Sequence, residues 1–311
     1  YYRLSEDLDF SIMATIDKEQ QQLYTGKITP GIRASSIKSI TRSLASLAAK
    51  YDMTVKDVGY NDNKRQKVWY LKYKSIIEPA GIGDIKLDIG MWANIHMLPD
   101  EKPINHKFHG PFNNEELIAI TDTITSGKVK CLQLLEIGAE KLRAAATRGT
   151  HDPDPQKTGI APRDFFDIQY MLNQGFNFKD KAVLEMFKIK GFEDGKDWLG
   201  LGGYAENLGR TKQDIEICQS RIEPKLSNVL TEKALKEFNL NVTLQNFSII
   251  FKELAKDKDY AKLNKPESLE EYNERNKQNT TAKVTDTFGA VKKQPALHRY
   301  DNTAKEPETK Y

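Results

Sequence analysis

Two acidic stretches carry the chemistry open to this sequence. In "RLSEDLDFS" Asp7 and Asp9 flank Leu8, and in "IKLDIG" Lys86 and Asp88 flank Leu87. Strand side chains alternate faces, so Leu8, Phe10 and Ile12 go one way and Asp7, Asp9 and Ser11 the other. The second stretch repeats the pattern, with Ile85, Leu87, Ile89 and Met91 opposite Lys86, Asp88 and Gly90. On adjacent strands, Asp7, Asp9 and Asp88 would share one polar face. Such hard oxygen ligands suit Mg²⁺ or Mn²⁺ held together with phosphate oxygens. Nucleotidyl transfer needs that arrangement: one metal activates the attacking hydroxyl, and a second steadies the triphosphate and the departing pyrophosphate. Any of these aspartates alone reads as a solvated strand residue, whereas the repeated pattern favours a site. Lys86 is open to two readings, an ion pair with Asp88 or a phosphate contact.

A second set lies further on. In "LLEIGAEKLRAAATR" Glu136, Glu140 and Arg143 have the spacing of pairs along one helix face, worth about 0.2–0.5 kcal/mol each. Lys141 and Arg148, seven apart on another common face, are placed to reach triphosphate oxygens. In "RDFFDIQYML" Asp164 and Asp167 share a helical face, with Phe165, Ile168 and Leu172 on the buried one. Asp164 suits a helix first turn through the dipole, whereas Asp167 calls for a buried partner, Lys141 or Arg148. Other constellations are weak. His96, His106 and His109 stand among Pro and Asn residues without the spacing of a zinc site, and "GLGGYAENLG" lacks the Gly-Lys-Ser/Thr of a P-loop and reads as a loop between helices.

The elements that must position these residues follow from periodicity. "TPGIRASSIKSITRSLASLAAKYDM" is helical, with Ile32, Ile37, Ile40, Leu44 and Leu47 on one stripe and Pro30 near its start. "KVWYLKYKSI" alternates as a strand, with Trp69, Leu71 and Tyr73 opposite Lys72 and Lys74. Residues 94–114 read as an irregular connection. A long helix is expected from Val129, with an apolar stripe of Leu135, Ala139, Leu142 and Ala146, and another just after Pro162. Residues 178–263 read as mostly helical. The fold class is therefore α+β: a small mixed sheet with helices, then a helical domain.

Composition narrows the function. The 311 residues carry 47 Lys+Arg against 44 Asp+Glu, so a nucleic-acid footprint would have to be local. Cys131 and Cys218 are too few for a disulfide framework or thiolate metal site and fit a reducing cytoplasm. No apolar run reaches the length of a membrane span, and no signal-peptide pattern is present.

The four ordered motifs "RLSEDLDFS", "IKLDIG", "LLEIGAEKLRAAATR" and "RDFFDIQYML" resemble the AbiEii/AbiGii toxin family of nucleotidyltransferases, over roughly residues 1–175. The resemblance implies a polymerase-β-like nucleotidyltransferase core at 1–130, a helical domain at 131–263 that includes the third motif, and a polar, mobile tail at 264–311. It implies Asp7, Asp9 and Asp88 as metal ligands, with Mg²⁺ and an NTP as cofactor and substrate. Ser5, Lys86, Lys141 and Arg148 are the expected nucleotide contacts, and Asp164 and Asp167 position the cations. A toxin role follows, with a cognate antitoxin encoded nearby, links to phage defence, and RNA, above all tRNA, as acceptor. Lys38, Arg42, Lys72 and Lys74 are the expected backbone contacts. The family's first motif opens with a Gly-Gly-Thr or Gly-Ser turn that grips the triphosphate. This chain instead opens at Tyr1-Tyr2, so a truncated N-terminus is expected, with nucleotide binding poor or absent and the enzyme inactive in this form. That gap leaves two further readings open: an inert relative that sequesters nucleotide or RNA, and an enzyme acting on protein or small molecules.

Overall fold

A computed structural model describes residues 7–11, 16–17, 22–23, 30–60, 66–74, 82–90, 95–103, 128–149 and 160–285. The N-terminal strands are β1 (Asp7–Ser11), β2 (Ile16–Asp17), β3 (Gln22–Leu23), β4 (Thr54–Tyr60), β5 (Gln66–Lys74) and β6 (Ile82–Gly90), with helix α1 (Pro30–Lys50) between β3 and β4. Four of them form one mixed sheet in the order β1-β6-β5-β4. β1 runs parallel to β6, and the other two pairings are antiparallel.

Alternation along β5 and β6 makes one face of this sheet apolar. Trp69 pairs with Leu87 and Leu71 with Ile85, and these residues pack with Ile89 against Ile37, Ile40, Leu44 and Ala48 of α1. The helical stripe thus ends on Ala48 rather than Leu47, which is 42% exposed: a residue three after Leu44 already turns off the axis of the stripe. Phe10, expected on the apolar face, is 52% exposed because β1 is the sheet's edge strand. Gly83 is required where it stands, since a Cβ there would lie 2.2 Å from the ring of its register partner Tyr73.

β7 (Asp100–Pro103) and β8 (Lys128–Cys131) form an antiparallel ribbon. This corrects two expectations, the irregular stretch at 94–114 and the helix beginning at Val129. Lys128-Val129-Lys130-Cys131 alternates as a strand, and Gln133, extended at φ −65° and ψ 146°, sets the helix start at α2 (Leu134–Thr147). The Gln133 side-chain amide donates to the Leu98 carbonyl at 2.8 Å, which ties the segment before β7 to the head of α2.

The helical body continues with α3 (Pro162–Asn173), α4 (Lys181–Glu193), α5 (Gly200–Tyr204), α6 (Lys212–Ser220), α7 (Ile222–Leu226), α8 (Glu232–Glu237), α9 (Leu240–Leu254), α10 (Ala261–Asn264) and α11 (Leu269–Thr285). Its core joins Leu142, Ile168, Leu184, Phe187, Phe247 and Phe251, and is separate from the core between α1 and the sheet. The "GLGGYAENLG" stretch is more ordered than a loop, holding α5 and a 3₁₀ turn at Asn207–Gly209.

The tail expected from 264 is structured through α11. Trp198 and Glu267 exchange backbone hydrogen bonds at 2.8 and 2.9 Å, and Tyr272 stacks on Phe192 with ring centroids 4.0 Å apart. Few apolar residues suffice because each lands on the existing core; residues 286–311 lie outside the described set. The Glu267 carboxylate also meets Lys188 at 2.7 Å and Arg275 at 2.8 Å. Burial works to raise its pKa, but the Lys188 hydrogen bond and the two positive charges outweigh burial, so the net shift is downward. A depressed carboxylate stabilises the fold above its unfolded pKa and ceases to do so as pH falls through the folded value. Glu267→Gln should therefore cost about 1–2 kcal/mol at neutral pH, and the loss relative to the parent should begin to shrink as pH falls below about 4.3, disappearing once pH is below the depressed folded value. Urea melts across the acid range will show this convergence; parallel stability curves would refute it.

Candidate active site

The register between β1 and β6 sets the first half of the site. Asp7 is the partner of Lys86 and Asp9 the partner of Asp88, so the four positions fall on the sheet face opposite α1. On its other side Asp88 is paired with Val68 and Lys86 with Tyr70. Asp88 thus occupies the middle of the sheet, and its side chain is only 10% exposed. Lys86 Nζ lies 2.5 Å from Asp88 Oδ2, and Oδ1 is buried with no hydrogen-bond partner among the described residues.

Burying a carboxylate with one oxygen unpaired is costly. The cost is offset if a cation shares that oxygen, and the register places a second acidic position, Asp9, directly across. This donor set fits a divalent metal with a preference for oxygen. The side chains of Asp7 and Asp9 are not described, so their part in it rests on backbone register. Among the described residues no cluster of three His, Cys, Asp or Glu side chains is found. Ser5 lies outside the described residues.

The second half comes from α2 and α3. Lys141 Nζ meets Asp167 Oδ2 at 2.6 Å, which supplies the buried partner expected for Asp167, a residue only 1% exposed. Arg148 Nη1 lies 2.9 Å from Asp164 Oδ2, close in charge but off the angle of a hydrogen bond. Both aspartates are buried, so α3 hides this face as well as its apolar one. Pro162 at the first helical position starts α3, and α2 packs its two cations, two turns apart, along the acidic side.

Two residues act differently from their expected roles. Glu136 makes no pair with Arg143; its carboxylate accepts the backbone N–H groups of His96 and Met97 at 3.1 Å each and meets Lys190 at 3.0 Å. It pins the segment that begins five residues past β6 to α2 and α4. Its position in the first turn of α2 is the one sequence clue to this use. Arg143 pairs with Glu140, as spaced, and with Asp194; burial works to lower its pKa, but these carboxylates raise it overall. Arg210, which sequence reasoning missed, buries its guanidinium against the end of α2. His96 Nε2 lies 2.8 Å from Glu193, while His106 and His109 fall outside the described residues. Burial pushes the Cys218 thiol up to about 12, which leaves it unreactive at neutral pH.

Paired acidic positions on neighbouring strands of a small mixed sheet, followed by a helical body that presents anchored cations, define a nucleotidyltransferase. The chain matches the family described as nucleotidyl transferase AbiEii toxin, type IV TA system, over residues 1–272, and it belongs to that family. The match runs well past the four motifs and takes in the start of α11. Neither a curated protein nor a solved structure matches the chain. The type IV toxin–antitoxin assignment carries with it an antitoxin partner. Among the described residues no helix is long and apolar enough to cross a membrane.

Proposed function

We propose that this toxin transfers a nucleotide from an NTP to an RNA acceptor, tRNA above all, with Mg²⁺ held by Asp7, Asp9 and Asp88. The observation that carries the reading is the buried, unpaired Oδ1 of Asp88, the residue whose register partner across the two strands is Asp9. Bound there, the metal supplies Lewis-acid stabilisation of the triphosphate and lowers the pKa of the acceptor hydroxyl. Lys86 holds Asp88 by Oδ2 and leaves Oδ1 for the metal. Lys141 spends one of its three donors on Asp167 and keeps the others for phosphate oxygens. Asp164 restrains Arg148, whose side chain is 36% exposed and so within reach of substrate.

For the acceptor, Lys72 and Lys74 lie on the same sheet face as Lys86 and Asp88, because β5–β6 register pairs Lys72 with Asp84 and Lys74 with Ile82. Lys72 meets Asp84 at 3.3 Å on this face, and lysines so placed contact a phosphate backbone without reading sequence. Lys38 and Arg42 stand on α1, which covers the other face, and are set apart from it.

The test is transfer of label from each α-labelled NTP to total RNA, to protein or to small molecules. Label should enter RNA, require Mg²⁺ or Mn²⁺, vanish with EDTA, and fall at least about 100-fold in Asp9→Ala. Label confined to protein or a small molecule would overturn the RNA assignment. Transfer that survives Asp9→Ala at the parental rate would overturn the site.

A further inference from the structure

We infer that Arg210 is a positioning residue for substrate binding, acting through Arg148; the inference rests on the reading of Arg148 as a phosphate contact. The last carbonyls of a helix have no partner within it and attract cations, yet α2 has no basic residue in its last turn. Arg210 fills that role from sixty residues downstream. Its Nε donates to the Ala145 carbonyl at 2.7 Å, and Nη2 donates to the Arg148 carbonyl at 2.6 Å. Nη2 also lies 3.5 Å from the Ala144 carbonyl.

These contacts restrain Arg148 twice. Arg148 is the residue at which α2 ends, its backbone extended at φ −64° and ψ 126°. Arg210 holds its carbonyl, and Asp164 holds its guanidinium. An arginine at a helix end would otherwise sample many conformations, and each freedom removed before binding spares ordering entropy during it.

The turn that delivers Arg210 is a separate observation pointing the same way. Asn207, Leu208 and Gly209 all have positive φ, at 52°, 56° and 71°. Two of the three are not glycine, and an L-residue adopts this conformation only at a cost that its surroundings must overcome. Leu208 meets that cost by burying its side chain, which is 1% exposed, in the helical core. Directly after Arg210, Thr211 and Asp214 form a reciprocal capping box that starts α6. The arginine is thus clamped between a strained turn and a capped helix, its guanidinium aimed at α2. Strain held in this way is typical of segments that position functional groups.

The test is a double-mutant cycle read as dissociation constants for ATP, GTP, CTP and UTP, each titrated with Mg²⁺ into the full chain. Arg148→Ala should weaken the tightest of the four by about tenfold, and Arg210→Lys by roughly three- to tenfold. If Arg210 acts through Arg148, adding Arg210→Lys to Arg148→Ala should change binding by less than about twofold, a coupling that a merely structural role would not produce. Arg210→Gln keeps donors for the carbonyls without a buried charge and runs through the same cycle should Arg210→Lys not fold. Equal losses from the Arg210 substitution in both backgrounds would overturn this inference and leave the site reading intact. An Arg148→Ala protein that binds as tightly as its parent, or a parent that binds none of the four, would overturn both.

Discussion

Asp88→Asn should lower nucleotide transfer by about 10³-fold while leaving the melting temperature within a few degrees of the parent. A loss of that size corresponds to about 4 kcal/mol of transition-state stabilisation, in line with removal of one preorganised charged group. The substitution is nearly isosteric, so the sheet around Leu87 and Ile89 has no reason to shift. What changes is charge. Asparagine can still accept from Lys86, but the buried group no longer carries the negative charge that a metal would need. A variant that folds and still transfers at the parental rate would remove Asp88 from the chemistry. It would also leave its buried, unpaired oxygen without a physical account.

The second large effect is on stability. Glu136→Ala should destabilise the fold by about 2–4 kcal/mol, because it removes the nearest carboxylate from the buried Lys190 ammonium, which keeps Glu140 at 3.6 Å, and the acceptor from two backbone N–H groups. Glu136→Leu combined with Lys190→Met should recover much of that loss, since apolar side chains of similar size then replace the buried ion pair. The backbone of His96 and Met97 would remain unpinned in this double variant. Transfer should therefore stay well below the parent even where chemical denaturation shows stability restored. Full activity in the double variant would show that the tether between the sheet's last strand and α2 has no part in catalysis.

How far these features were legible in the sequence depends on the range over which they are built. The alternation of Leu87 and Asp88 is local, and it announced both the strand and its two faces. The pairing of Lys141 with Asp167 was legible because each lay on a helix whose phase could be read from its apolar neighbours. β8 was hidden: four alternating residues next to a strong helical pattern were absorbed into it. The docking of α11 was missed because its anchors, Glu267 and Tyr272, are too sparse to give a periodic signal. Arg210 left no trace at all. Its role needs three successive left-handed residues and a helix end some sixty residues away, and neither shows in local spacing. Glu136 was read as one member of a helix-face ladder because of its spacing from Glu140 and Arg143, and only contact with the chain after β6 sets it apart.

The parallel pairing of the first strand has a temporal side. Asp9 leaves the ribosome ahead of its register partner Asp88, which is 79 residues behind it. At ~5–20 residues per second, about 4–16 s pass before the two ends of the acidic cluster exist in the same nascent chain. The pairing that sets Asp9 beside Asp88 is therefore among the last contacts of the described four-stranded sheet that can form during synthesis.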